Sequence, residues 1–483
     1  MLSELLLTEM ARLAKKDTMP LHRQLYEALR RAMLDGKLGA GERLPSSREL
    51  TSDLKLSRNT VVSALNQLGV EGYLVSRVGS GTYVNDNLPK SQAARRSMHT
   101  QAHAAGLSKR GLALSTTFCS SQLEMQPFTP GIADFSAFPV ALWQRLQNKH
   151  WRMTYPEMLD YSHSGGYAPL RRAVADYLRV FRSVPLDVDQ VIITSGTQQS
   201  LELCSQLLAD HGYWGAANVF IATGLHAHPV SVDQEGIAPN VQDEAAPPRL
   251  IYTTPSHQYP TGAVMSLIRR QQILNIARTH KAWILEDDYD SEFRFSGPPL
   301  SSLAGLDKEE RVLYLGSFSK VLYPGLKLGY LVVPKRLATA FKQAHYDLNR
   351  PGQMPMQAAL AEFIELGYFA SALRKARSSY AQRRQSLLAA LQPCLGAQAQ
   401  ITGAEQGLHL CLRLPAHVDD RLLTQRIADH GRTVRPLSAY CLQRTDARGL
   451  VIGYGYAASA DIERFGPLLA QVIAQELKRL SRT

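Results

Sequence analysis

Three residues in this 483-residue chain have the types, and the positions after apolar runs, that a reactive site needs. Lys320 follows the strand-like run Val312-Leu313-Tyr314-Leu315 and closes Gly316-Ser317-Phe318-Ser319-Lys320. Asp287 ends Trp283-Ile284-Leu285-Glu286-Asp287, and Tyr289 lies two residues on. Ligands of open α/β sheets bind at the carboxyl ends of strands, so these side chains would meet in one crevice. Their chemistry suits pyridoxal 5′-phosphate. That cofactor needs an amine for its aldehyde, an acid for its ring nitrogen, a hydrogen bond to its phenolic oxygen and a cradle for its phosphate.

Lys320 would be the amine, readier to lose its proton where it is desolvated beside other cationic groups. Asp287 would hold the pyridinium proton, and Tyr289 would donate to the phenolic oxygen. Ser195-Gly196-Thr197 joins an apolar run to a helical one, and backbone N–H groups at such a turn favour phosphate. Ser317, Ser319 and Lys327 would complete the cradle. The acidic run Glu286-Asp287-Asp288 also reads as a solvated turn. A metal site is not expected there, because no His or Cys is close in sequence. Asp288 and Asp290 read as ordinary turn or surface carboxylates.

The elements that would position these groups alternate in type. Val191–Thr194, 250–253, 283–287 and 312–315 read as buried strands with helices between them, which predicts a mostly parallel α/β sheet from about residue 126. A helical stretch over 370–391 precedes a smaller unit, in which 408–414 reads as a strand. Residues 85–125 are rich in Ser, Ala, Gln and His, show little periodicity and suit a flexible linker.

Residues 1–84 read differently. The first sixteen form an amphipathic helix rather than a leader, since Glu4 and Glu9 interrupt the apolar stretch and no basic lead precedes it. Pro20 opens a second helix with Leu21, Leu25, Ala28, Leu29, Ala32 and Met33 on one face, stopped by Gly36. Ser46 caps a third, with Glu49 at the capping-box position, and Ser57 caps a fourth. Two short strands, 72–76 and 81–84, follow, with glycines 79 and 81 at the tip between them. Helices followed by a two-stranded wing make a winged helix-turn-helix. Ser57, Arg58, Asn59 and Thr60 would then face the major groove of double-stranded DNA, Arg toward guanine and Asn toward adenine. Arg43, Ser46 and Arg48 would reach the phosphate backbone, and Ser80 and Thr82 of the wing a phosphate or a minor groove.

Bulk properties agree with this division without deciding it. The length calls for two or three domains. The net charge of +12 fits an acidic partner. Residues 1–90, however, hold 13 Lys and Arg against 10 Asp and Glu, so DNA binding must rest on where the charges sit. The five cysteines form no CxxC pair and suit reduced thiols in a bacterial cytoplasm. No membrane span is expected.

The stretches GERLPSSREL, LSRNTVVSALNQL and EGYLVSRVGSGTYV resemble the GntR-type winged helix. GIADFSAFP with Trp143, YSHSGGYAPLRRAVADYL, VIITSGTQQSLEL, TPSHQYPTG, LEDDYDSEFRF, GSFSKVLYPGLKLGY and GLHL resemble a fold-type-I aminotransferase. Residues 20–470 together resemble the MocR family of regulators, which fuse the two. The resemblance implies a multidomain chain: a winged helix over 1–84, a linker over 85–125 and an aminotransferase-like domain over 126–483 with a small α+β subdomain from about 370. It also implies a domain-swapped homodimer in which each reader packs over the partner's large domain.

Three departures from the family pattern bear on function. Lys327 stands where relatives have Arg, keeping the charge and losing the bidentate fork. Leu225 stands roughly where relatives often have a tyrosine, so the effector pocket is expected to differ there, with His226, and His228 beside it, contributing to effector binding. Leu450–Gly455, aligned with the last strand, lacks the arginine that anchors a substrate carboxylate in working aminotransferases. Arg435 or Arg413 would serve instead. The leading expectation is a pyridoxal-phosphate-dependent regulator that answers to an amine or to the cofactor itself, controlling amine, amino-acid or vitamin B6 genes. An active aminotransferase tethered to DNA is the alternative.

Overall fold

The structure is a computed structural model. It describes residues 2–14, 19–77, 80–86, 126–136, 138–153, 156–159, 164–208, 228–239, 247–295, 301–350, 352–395, 399–441 and 446–480. The chain divides into two compact units, Met1–Ala105 and Gly106–Thr483. The dividing point falls within the stretch read as a linker, of which 87–125 lie outside the described residues.

The first unit contains α1 (Leu2–Ala14), α2 (Leu21–Leu34), α3 (Ser47–Leu54), α4 (Arg58–Val70) and the wing strands β1 (Leu74–Arg77) and β2 (Gly81–Val84). Each boundary has a local cause. Ser46 and Glu49 make the reciprocal capping box that their spacing predicts. Lys55 turns left-handed after α3, and Ser57 accepts from the Thr60 amide to start α4. One apolar core gathers Leu6 and Met10 of α1, Leu25 and Leu29 of α2, Leu50 of α3, Val61 and Leu68 of α4, and Leu74 and Val84 of the wing. Leu21, expected on the buried face, is 54% exposed, because it occupies the first position of α2 ahead of the packed stretch. Asn85, assigned to the linker from composition, belongs to the folded unit. Its amide donates to Tyr73 O at 2.9 Å and its side chain to Gly72 O at 2.7 Å.

The second unit is built on a sheet in the order β3 (Val191–Thr194), β7 (Gly329–Val332), β6 (Val312–Ser317), β5 (Trp283–Asp288), β4 (Leu250–Thr253). Strands β4, β5 and β6 pair in parallel, and β7 runs antiparallel between β6 and β3. Strands β3 and β6 therefore point the same way, and their carboxyl ends lie on one edge with that of β5. Strand β7, from the apolar run Tyr330-Leu331-Val332-Val333, is an element that the sequence reading did not assign. The sheet is covered by α5 (Val140–Arg152), α6 (Ala168–Phe181), α7 (Thr197–Leu208), α8 (Leu267–Thr279), α9 (Ala338–Asn349) and α10 (Met354–Glu365).

The long helix α11 (Tyr368–Leu395) leads into a smaller sheet ordered β8 (Gln400–Thr402), β9 (His409–Leu414), β11 (Arg448–Gly453), β10 (Arg435–Pro436). All its pairs are antiparallel. Helices α12 (Asp420–Ala428) and α13 (Ser459–Leu480) flank it. Alternation divides its side chains between two faces. Leu410, Leu412, Leu450 and Ile452 enter the main core, while Thr402, Cys411, Val451 and Arg435 form one row on the other face.

A buried ion pair lies beneath the carboxyl end of β5. Arg182 meets Asp288 at 2.7 Å with both side chains nearly inaccessible. The Arg182 guanidinium also donates to Ser256 Oγ at 2.8 Å, and the Tyr314 hydroxyl donates to Asp288. Removing one partner of such a pair strands a charge in low dielectric. Arg182→Ala is expected to destabilise the second unit by about 3–5 kcal/mol, measured by urea denaturation. Lys335→Ala, which removes an exposed pair with Asp187, should leave the midpoint unchanged.

Candidate cofactor site

The site forms where β3, β5 and β6 end, and glycines set how closely those ends approach. A Cβ on Gly316 would lie 2.1 Å from the Tyr330 ring of β7. One on Gly329 would lie 2.8 Å from both Gly196 Cα and Gly316 O. The Ser195-Gly196-Thr197 turn is thereby pressed against the start of β7, two residues beyond Lys327, and Ser317 of β6 pairs with Gly329. Ser195, Gly196, Thr197, Ser317 and Lys327 thus belong to adjoining backbone segments, and Ser319 joins them through its amide, which donates to Ser317 Oγ at 3.1 Å. Gly196 has φ +107°, which disfavours a side chain, and a Cβ there would meet nothing within 4 Å among the described residues.

Asp287 is buried at the end of β5. Its Oδ2 accepts from the Tyr252 hydroxyl of β4 at 2.7 Å. Its Oδ1 is buried with no hydrogen-bond partner among the described residues. Burial pushes its carboxyl up to about 7, while the Tyr252 bond acts in the opposite sense. Lys320, after β6, donates to the carbonyl oxygen of Gly131. Burial lowers its ammonium pKa against the raising effect of Asp290 and Asp287. The bare oxygen of Asp287 is what a protonated ring nitrogen requires, and a lysine with a lowered pKa is what an aldehyde requires. The residues present fit pyridoxal phosphate. Bound there, the cofactor would supply an electrophilic aldehyde and an electron-withdrawing ring.

The acids flanking Asp287 overturn their reading as turn or surface carboxylates. Asp288 is buried against Arg182, and Asp290 against His257, whose Nδ1 lies 2.9 Å from it. Glu286 accepts from the amides of Leu303 and Ala304, both at 2.9 Å. His257 and His409, remote in sequence, converge on Asp290 with ring centroids 4.7 Å apart. Both rings already have protein neighbours: His409 Nε2 lies 3.1 Å from Pro260 O, and a Cβ on Gly407 would lie 2.2 Å from the His257 ring. The Tyr289 hydroxyl donates to His257 O at 3.0 Å. Tyr289 is therefore held from the side of His257.

Arg435 is partly buried and lies in the same cross-strand row as Thr402. Thr402 donates to Thr261 O at 2.6 Å, so this row faces the segment 257–262 of the large part. The Tyr259 and Tyr440 hydroxyls lie 2.9 Å apart, and the charge of Arg435 bears on both phenols. Arg413 lies on the same face, paired with Gly449, and its Nε is buried with no hydrogen-bond partner among the described residues. His226 and Leu225 lie outside the described residues. Tyr252, His257, His409 and Arg182 were not singled out from sequence. His257 and His409 lie in stretches that carry the family resemblance, TPSHQYPTG and GLHL, while Tyr252 and Arg182 had no local signal beyond apolar neighbours.

In the first unit Arg43, Ser46, Arg48, Ser57, Arg58 and Asn59 are exposed, and Thr60 and Thr82 are partly so. Ser57 Oγ is engaged by Thr60, Ser46 Oγ by the Glu49 amide, and Ser80 Oγ by the Tyr83 hydroxyl at 2.7 Å. Arg58 and Asn59 at the start of α4 have their side chains turned to solvent.

Comparison with known proteins agrees with this division. Residues 21–84 match the model of the bacterial regulatory proteins of the gntR family, and residues 144–448 that of aminotransferase class I and II. The chain is 38% identical over 446 residues to the probable rhizopine catabolism regulatory protein MocR of Rhizobium meliloti, covering 90% of each chain. It is 29% identical to the pyridoxine biosynthesis transcriptional regulator PdxR of Corynebacterium glutamicum, over 89% of this chain and 91% of that one. Among solved structures it resembles the α-aminoadipate aminotransferase LysN of Thermus thermophilus, complexed with N-(5′-phosphopyridoxyl)-L-leucine. There the TM-score is 0.66 at 26% identity, over 74% of this chain and 94% of that one. Among the described residues no helix is long and apolar enough to cross a membrane. A DNA-reading winged helix joined to an aminotransferase fold, with full-length likeness to regulators of that build, places the chain in the MocR-type family of transcriptional regulators.

Proposed function

We propose that this regulator binds pyridoxal 5′-phosphate at the end of β5 and β6 and uses the occupied site to sense an amine, or the cofactor itself. The observation that carries the reading is the bare, buried Oδ1 of Asp287, in a site whose lysine has a lowered pKa. A buried carboxylate oxygen without a partner is costly unless a ligand supplies one. In this reading Lys320 would hold the aldehyde, Asp287 the ring nitrogen, and Tyr289 the phenolic oxygen once its hydroxyl turns from His257 O. Ser195, Gly196, Thr197, Ser317, Ser319 and Lys327 surround the phosphate. The cofactor would offer its aldehyde to the amine of an effector, and Arg435, beside the Tyr259 and Tyr440 phenols, would take an effector carboxylate, with Arg413 on the same face of the small sheet.

The absence of an arginine over Leu450–Gly455 favours sensing over turnover. The first unit grips double-stranded DNA through Arg58 and Asn59 to bases and through Arg43, Ser46, Arg48, Ser57, Thr60, Ser80 and Thr82 to the backbone. The protein acts as a homodimer on paired half-sites in the bacterial cytoplasm. The effector shifts the grip by no more than its difference in affinity for the two states.

Two measurements test this. Protein with added pyridoxal phosphate is expected to absorb in the visible, and borohydride reduction should place the label on Lys320. Lys320→Ala should lose the absorbance while still binding DNA. A colourless wild type that stays colourless with added cofactor would contradict the reading. Separately, Arg58→Ala is expected to cost roughly 1–3 kcal/mol of specific DNA affinity, measured by anisotropy against a non-specific duplex. Unchanged specificity would show that α4 is not the reading helix.

A further inference from the structure

We infer that Tyr252 is a positioning residue for the cofactor ring: its hydroxyl ties down one oxygen of Asp287 so that the other stays bare and faces the ring nitrogen. The inference rests on the reading of the site given above. Strand β4 runs parallel beside β5, with Tyr252 opposite Leu285 and Thr253 opposite Glu286. This places the Tyr252 phenol beside the end of β5, where it donates to Asp287 Oδ2 at 2.7 Å. Oδ1 has no partner among the described residues. A carboxylate can turn about its last bond. With both oxygens free it would point either one, or neither, at the ring. The phenol removes that freedom and leaves one acceptor for one donor.

The same bond affects charge. Asp287 is surrounded by groups of both signs. Tyr252 reaches it from β4, Asp288 and Asp290 from its own strand and turn, and Lys320 from the segment after β6. Burial and the two neighbouring acids favour the protonated carboxyl, whereas the Tyr252 bond and Lys320 favour the carboxylate. The carboxylate accepts from a protonated ring nitrogen much more strongly than the neutral carboxyl does. Without the phenol, Asp287 keeps its proton to higher pH, and the site binds the cofactor less well in the range where the wild type is already ionised. The sign follows: the defect is largest near and below neutral pH and vanishes once the variant carboxyl also ionises.

The test is the apparent affinity of the full-length protein for pyridoxal phosphate, measured by equilibrium dialysis from pH 6 to pH 9. Tyr252→Phe keeps the ring and its packing. It is expected to bind roughly five- to tenfold more weakly at pH 6.5, with its binding profile displaced upward by about one unit, and to match the wild type near pH 9. Thermal unfolding of the empty proteins separates loss of fold from loss of positioning. In an Asp287→Asn background the second substitution should have no further effect on affinity. An unchanged profile in Tyr252→Phe, while the wild type binds, would overturn the inference. So would an equal loss in the Asp287→Asn background, which would assign the phenol to packing alone. A wild type that binds no cofactor at any pH would instead overturn the reading of the site, and this inference with it.

Discussion

Burial of an acid-rich strand end is the constraint on which the rest of this molecule depends. Glu286, Asp287, Asp288 and Asp290 all lie out of solvent within five residues. Buried carboxylates are costly unless each is matched. The matches come from every side. Two backbone amides hold Glu286, Arg182 and Tyr314 hold Asp288, and His257 holds Asp290. Asp287 and Asp288 are each matched through Oδ2 alone, and of the two it is Asp287, held by Tyr252, that lies beside Lys320. Among the described residues Asp287 Oδ1 is left without a partner at the carboxyl end of the sheet, where ligands of this architecture sit.

The small sheet brings a second kind of chemistry to the same crevice. Its row from Thr402 to Arg435 faces the 257–262 segment, so a cation and two phenols stand near the turn that also supplies His257. An aminotransferase spends binding energy on orienting a substrate carboxylate for repeated turnover. Here no arginine occupies Leu450–Gly455, and the available cation comes from the neighbouring strand. In the proposed reading a ligand held that way is bound and reported. The reported signal must reach a DNA-reading unit that has its own core, in which α1 adds Leu6 and Met10 to the winged helix.

Much of this was legible in the sequence because local chemistry enforces it. Ser46 with Glu49, Ser57 with Thr60, and the apolar runs at 191, 250 and 312 each specify an element without help from distant residues. Lys320 and Asp287 stood out in the sequence because each follows or ends an apolar run, and the structure buries Asp287 at one strand end and sets Lys320 just past another. What escaped was non-local. Strand β7 pairs on both sides, and Gly316, Gly329 and Gly196 let its start pack closely against its neighbours. Asp288 and Asp290 read as solvated until Arg182, 106 positions before Asp288, and His257 arrive through the fold. Tyr252 was hidden in an apolar strand, where period-two alternation shows burial and not the partner that a hydroxyl finds across the sheet.

The central claim is that the occupied cofactor site governs the grip on DNA. The most direct test is the affinity of the full-length protein for the DNA upstream of its own gene, measured by anisotropy while pyridoxal phosphate is titrated. The account predicts a several-fold change in affinity in the wild type that is lost in Asp287→Ala. The same affinity with and without the cofactor, and with candidate amines added to the loaded protein, would contradict it.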